Sequence, residues 1–378
     1  MRLLLLFASL LLLINQSLQA APSIVPAAPA INAKAWLLID YHSGQVLAEH
    51  NSLQRVEPAS LTKMMTAYIV LYEIRNGSIK ADDLVRISEK AWRMKGSRMF
   101  IEVNSQVSVE ELLKGLIIQS GNDATVALAE HVAGSEEAFV ELMNQHARSM
   151  GMTGTHFTNS TGWPDPDHYT TPHDLAILSR ALIRDFPEHY SWYRIKEYTY
   201  NNIRQFNRNR LLWLDERVDG IKTGHTESAG YCLVASALQD KMRLISVVLG
   251  TDSEEARAEE SQKLLSYGFR FYETHRLYAA NQALSTVRIW KGASEKLPVG
   301  LKHELYVTIP RGEYSKLDAQ MKLKQPIIAP ASKGALYGSL NVSLDGQTLA
   351  VKPLVALQDV AEGDIFQQVV DDIKLWFE

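Results

Sequence analysis

Glu57-Pro58-Ala59-Ser60-Leu61-Thr62-Lys63 runs straight into Met64 to Ile74, an apolar stretch rich in helix formers that Asn76-Gly77 terminates. A serine at a helix start with a lysine three residues on sets a hydroxyl and an amine on one face, a turn apart. A serine hydroxyl is a weak nucleophile until a base takes its proton. A lysine serves as that base only when neutral, which requires burial or a neighbouring positive charge to lower its pKa. Alone, the pattern equally describes a capping serine followed by a solvated lysine.

Two further stretches give the first its meaning. Val109 to Ala133 has a helical pattern at both ends, and Ser120-Gly121-Asn122 breaks it, so these side chains can face a cleft. A second hydroxyl can relay a proton to a leaving amine, and an Asn amide can hold a substrate carbonyl or orient the lysine. Val218 to Thr226 is a β-type run carrying Lys222-Thr223-Gly224-His225. Its glycine lets a substrate backbone approach a strand edge, and its lysine and threonine form a grip for a terminal carboxylate. Separately, these are a helix junction and a surface turn. Together, on a helix start, a helix break and a strand, they offer a nucleophile, a base, a relay and a carboxylate grip, a combination far rarer by chance than any part.

The trio resembles that of the low-molecular-mass penicillin-binding proteins, the D-alanyl-D-alanine carboxypeptidases. The resemblance extends through Ala-Ser-Leu-Thr-Lys, Gln-Ser-Gly-Asn-Asp-Ala, Asp-Gly-Ile-Lys-Thr-Gly-His-Thr and Ala-Gly-Tyr, and covers nearly the whole chain after the leader. It implies an α/β penicillin-binding/β-lactamase-like transpeptidase fold, with an antiparallel sheet flanked by helices. It implies that Ser60 attacks the carbonyl between two terminal D-alanines of a peptidoglycan stem peptide and that Lys63 accepts its proton. Ser120 would pass a proton to the departing D-alanine, while Asn122 positions the acyl chain and Lys63. Lys222, Thr223, Gly224 and His225 would line the strand side of the cleft, and the backbone N–H groups of Ser60 and His225 would hold the oxyanion. Arg257 matches an arginine that helps bind the terminal carboxylate, although its block lacks the usual preceding glycine. Thr161 stands before Gly162 where several members carry a histidine. β-Lactam antibiotics would acylate Ser60, and neither cofactor nor metal is implied.

The remainder of the chain fits this frame. Ala35 to Asp40 and Gln45 to Ala48 read as strands around a His42-Ser43-Gly44 turn, and Tyr231 to Ala237 and Leu244 to Leu249 as buried strands. Helices are expected over Glu136 to Met150, Leu175 to Ile183 and Ser261 to Phe271, with a polar loop from Phe157 to Asp174. From about residue 278 to 358, short β-type runs including Thr286 to Trp290 and a hairpin signal at Asp345-Gly346 predict a small β-rich domain after a catalytic domain over residues 21–277. Residues 359–378 predict an amphipathic helix: Ile365, Phe366, Val369, Val370, Ile373, Trp376 and Phe377 form one apolar stripe suited to a membrane surface, though the opposite face is acidic.

Arg2 followed by the apolar run Leu3 to Ile14 reads as a signal peptide over residues 1–20. The expected location is therefore the periplasm, on the outer face of the inner membrane. The chain has 378 residues, 46% of them hydrophobic, and a net charge of −4, and nothing global suggests nucleic acid. The single cysteine, Cys232, excludes an intramolecular disulfide and reads as a packing residue. His156, His168 and His173 share the polar loop, but their spacing fits no common metal site. Two other readings compete: a D,D-endopeptidase or β-lactamase, and a non-catalytic wall-binding scaffold. Trp163 to His168 offers no Glu for β-lactamase deacylation, and an intact Ser60, Lys63, Ser120 and Lys222 argues against a decayed site.

Overall fold

The computed structural model describes residues 25–377, so the expected signal peptide lies outside the described residues. Its central element is a five-stranded sheet, all antiparallel, in the order Val46–His50, Ala35–Asp40, Met242–Thr251, Gly230–Gln239 and Val218–Thr226. The period-two alternation of each strand divides its apolar residues between two cores. Leu37, Ile39, Val234, Ile245 and Val247 pack against the helices Lys63–Asn76 and Pro172–Asp185 on one face. Leu38, Leu233, Ala235, Leu244 and Val248 face the long helix Glu254–Phe271 on the other. This is the expected antiparallel sheet flanked by helices.

Several boundaries differ from expectation for identifiable reasons. The long helix begins at Glu254, not Ser261, because the Ser253 hydroxyl caps it, accepting from Ala256 N at 3.0 Å. Its early turns are glutamate-rich and carry no apolar periodicity, and they contain Arg257. The helix expected from Leu175 starts at Pro172, capped by Thr171, so the polar loop ends three residues early. The strand expected through Trp290 ends at Arg288, and Trp290 instead bridges in parallel to Ile328. The broken helix is as expected: Val109–Lys114 continues as a π turn over Gly115–Gln119, Ser120 takes φ 64°, and a new helix runs Asn122–Ala133.

Beyond the long helix, Tyr272–Tyr278 pairs with Leu305–Pro310. A second five-stranded sheet follows, in the order Ala283–Arg288, Lys296–Gly300, Gln347–Ala356, Leu336–Leu344 and Leu317–Leu323. Asp345 and Gly346 both take positive φ at the hairpin between its longest strands, as that dipeptide suggested. Polar bonds join the two parts: Thr274 Oγ1 donates to Asp40 Oδ2 at 2.7 Å, and Ser43 Oγ lies 2.7 Å from Thr308 Oγ1.

The terminal helix Ile365–Leu375 leans on this second sheet by its acidic face. Asp371 is buried, accepts from Lys291 N at 2.7 Å and lies 3.6 Å from Arg288. Asp372 pairs with Lys291. Ile365, Phe366, Val369, Ile373, Trp376 and Phe377 are left exposed on the outside. Among the described residues, no helix is long and apolar enough to cross a membrane.

Candidate active site

The edge strand Val218–Thr226, the Ser60 turn and the loop around Gly162 enclose a cleft of about 810 Å³. Ser60 lies in a 3-10 turn, Ala59–Thr62, that flows into the helix from Lys63. The strand meets this turn at Gly224, where a Cβ would stand 2.9 Å from Pro58 O and 3.3 Å from Ala59 Cβ. The glycine expected to admit a substrate backbone therefore first admits the chain's own turn. Glu57 fastens the same corner by accepting from Thr226 Oγ1 at 2.9 Å and from Ser228 Oγ.

Lys63 is fully buried, and its Nζ is hydrogen-bonded to Ser60 Oγ at 2.9 Å and to Thr161 O at 2.6 Å. Burial is the main force holding its pKa down, to about 7; the Arg208 guanidinium adds to it and Asp123 opposes it. Opposite lies a second hydroxyl–amine pair. Lys222 Nζ donates to Ser120 Oγ at 2.8 Å and to Thr223 O at 3.0 Å. Burial, then Lys63, Arg208 and Arg257, push Lys222 well below the ordinary lysine range. The site thus supplies two hydroxyls, each beside an amine that burial makes reluctant to carry charge.

Asn122 lines the cleft, but its amide donates to Lys95 O at 2.6 Å, and the hydrogen bonds of Lys63 go to Ser60 and Thr161. His225 lines the strand side and stacks on Tyr231, with ring centroids 4.0 Å apart. Thr223 is buried, and of the expected strand residues only His225 reaches the cleft lining; Lys222, Thr223 and Gly224 lie behind it because the strand packs on the Ser60 turn there. Arg257 sits behind the strand and not in the cleft lining. It is 3% exposed, with Nη1 donating to Gly224 O at 3.3 Å and Nη2 ion-paired to Glu254.

Three groups here were given no part in the chemistry from sequence, although Thr161 and His168 were noted there. Arg208 lines the cleft and donates to Gln119 O at 3.3 Å, yet its run Asn207-Arg208-Asn209-Arg210 has no periodicity to mark it. Thr161 acts through a carbonyl that any residue carries. His168 is buried against the Ser60 turn at Thr62. His156 bonds Asp167 O and His173 lies beside Asp174, so the three loop histidines point to separate partners. Among the described residues no group of His, Cys, Asp or Glu is arranged to hold a metal. Cys232 is buried, its thiol pushed up to about 11 mainly by burial.

Comparison with known proteins agrees with this geometry. Residues 23–253 match the D-alanyl-D-alanine carboxypeptidase family, and residues 272–362 match the penicillin-binding protein 5 C-terminal domain. The chain is 45% identical over 363 residues to the D-alanyl-D-alanine carboxypeptidase DacA of Escherichia coli strain K12, covering 94% of this chain and 90% of the relative. It is 39% identical over 337 residues to DacF of Bacillus subtilis, covering 88% and 86%. The crystal structure of penicillin binding protein 5 from Haemophilus influenzae superposes with a TM-score of 0.86 at 43% identity, covering 90% of this chain and all of that one. With both its parts matched and its serine–lysine pair in bonding contact, the chain belongs to the D-alanyl-D-alanine carboxypeptidase family of serine hydrolases.

Proposed function

We propose that this protein removes the terminal D-alanine from peptidoglycan pentapeptides through an acyl-enzyme on Ser60. The observation that carries this reading is the Lys63 amine, fully buried, held near neutrality and 2.9 Å from Ser60 Oγ. Neutral Lys63 takes the Ser60 proton as Oγ attacks the carbonyl between the last two D-alanines. The oxyanion is received by the backbone N–H groups of Ser60 and His225, an interaction type whose loss costs about 3 kcal/mol. As the tetrahedral adduct collapses, Ser120, bonded to Lys222, delivers a proton to the departing amine. Lys63 passes the proton it took to Ser120, restoring both. Water then enters, and Lys63 takes a proton from it as its oxygen attacks the acyl carbon. That proton returns to Ser60 Oγ as the ester breaks and the shortened peptide leaves.

The substrate's terminal carboxylate is met by His225 and Arg208 in the cleft lining, with the Thr223 hydroxyl within the strand of His225 and the Arg257 guanidinium adding positive potential from behind that strand. Asn122 faces the acyl chain from the far wall. β-Lactams present the same carbonyl and carboxylate and acylate the same oxygen.

The reading extends to location. The leader over residues 1–20 exports the chain to the periplasm, residues 21–277 perform the chemistry, and the β-rich part over 278–358 carries the terminal helix. The exposed Phe366, Trp376 and Phe377 lie on the outer surface of the inner membrane. The acidic face of that helix does not oppose anionic lipid, because Asp371 and Asp372 are neutralised by Arg288 and Lys291.

The test is a fluorescent penicillin added to the mature protein, together with release of D-alanine from a pentapeptide. A covalent adduct at Ser60 and one D-alanine released per peptide are expected. Label that survives Ser60→Ala removes the mechanism. Cleavage of a cross-linked dimer in preference to the pentapeptide makes the protein an endopeptidase.

A further inference from the structure

The loop from Thr158 to His168 folds back over the Ser60 turn, and one buried imidazole joins the two. His168 is 2% exposed, with Nε2 2.8 Å from Thr62 Oγ1 and Nδ1 3.1 Å from Thr158 N. Counting hydrogens fixes its state. A backbone N–H only donates, so Nδ1 accepts from Thr158 N, and the Thr158 hydroxyl at 3.1 Å and the Asn159 amide at 3.4 Å are both able to donate to the same nitrogen. The Thr62 hydroxyl gives its one proton to Ala59 O at 2.8 Å, so it must accept from Nε2. His168 is therefore neutral, with its proton on Nε2. Burial chiefly, then His156 and Lys63, hold its pKa down to about 4 against the pull of Asp165, which agrees.

Both ends of this bridge bear on Lys63. Thr62 precedes Lys63 and belongs to the turn that presents Ser60. Thr158 opens the segment whose Thr161 carbonyl bonds Lys63 Nζ at 2.6 Å. That segment is stiff: Asn159 Oδ1 accepts from the backbone N–H groups of Thr161, Gly162 and Trp163. A second stitch, Thr66 Oγ1 to Ser160 O at 2.8 Å, holds it to the helix. A neutral amine has one lone pair, and giving a hydrogen to a fixed carbonyl confines that pair to the two remaining tetrahedral positions, one of which faces Ser60 Oγ.

We propose that His168 is a positioning residue: its neutral Nε2–H imidazole clamps the Thr158–Gly162 segment to the Ser60 turn, so that the Thr161 carbonyl aims the Lys63 lone pair at Ser60 Oγ and the closed segment keeps water from the amine. This rests on Lys63 being the base for Ser60. Loss of the clamp misaims the amine and lets water reach it, so acylation slows and the pKa of Lys63 climbs back toward the ordinary lysine range.

The experiment measures acylation of the full chain by a fluorescent penicillin between pH 5 and 9, with a thermal melt on each variant. His168→Ala should slow acylation by roughly tenfold to a hundredfold and move the acid limb of the profile upward. His168→Gln, whose amide has a donor and an acceptor, should bring the limb back toward that of the wild type. Thr62→Val removes the other end of the bridge, should shift the limb as His168→Ala does, and carries the test if His168→Ala does not fold. An unshifted limb in the alanine and valine variants, even with lowered stability, overturns the proposal, as does a glutamine variant indistinguishable from alanine. A wild-type chain that takes no label at Ser60 instead refutes the serine–lysine reading on which the proposal stands.

Discussion

Gly162 lies so close above Ala59 that a Cβ built on it would stand 1.7 Å from the Ala59 carbonyl oxygen. Its φ is +83°, so a side chain there meets backbone strain as well as backbone atoms. Gly162→Ala must lift the loop from the Ser60 turn and take the Thr161 carbonyl away from Lys63. We expect a destabilisation of about 2 kcal/mol or more and near-complete loss of penicillin acylation, read by thermal melting and gel labelling. A variant that labels at the wild-type rate would show that the loop contact does not shape the site.

The depressed pKa of Lys63 has a signed consequence for rate. The base is the neutral form, so acylation rises with pH through about 7. Below that, each pH step lowers the neutral fraction roughly tenfold. Arg208 is the second cause of the depression, after burial. Arg208→Gln should therefore shift the acid limb upward and also raise KM for peptides ending in a free carboxylate. A substrate amidated at its C-terminus separates the two effects, keeping the limb shift and losing the KM change. An unmoved limb means that burial alone sets the amine.

Ending the chain at Gly363 removes the outward apolar face of the terminal helix and leaves the second sheet intact. Cosedimentation with vesicles of mixed anionic lipid should be lost, while acylation of Ser60 stays within about twofold, because the cleft lies in the other part of the molecule. Continued binding to vesicles would place the membrane contact elsewhere.

Much of this site is legible in the sequence because the chemistry is carried by side chains in short local patterns. Ser60 and Lys63 share one helical turn, and Ser120 falls where a helical pattern breaks. The edge strand is the β-type run Val218–Thr226, which pairs with its neighbour along its length. What escaped is what the fold brings in from afar or expresses through the backbone. Thr161 works through its carbonyl, His168 through a tautomer set by Thr62 and Thr158, and Arg208 from a polar run without periodicity. Arg257 is a different lesson: the residue is found readily, but its helix start is masked by glutamates, and only the Ser253 cap explains why it sits behind the strand. Ser60, Asn122 and Lys222 could not be ranked by exposure from sequence, since burial depends on which elements close over them.

Two buried amines behind one pocket also make the site reluctant to hold protons. Burial and then Lys63 push Lys222 well below the ordinary lysine range, so a proton there is disfavoured before substrate arrives. An arriving carboxylate changes that balance, favouring the protonated form of the amine nearest to it. Capture of the substrate then draws a proton from solution, and the binding heat should vary with the ionisation enthalpy of the buffer. The two amines thereby divide their labour without differing in kind: the one nearer the anion takes the proton, and its charge holds the pKa of the one beside Ser60 down and favours the neutral form.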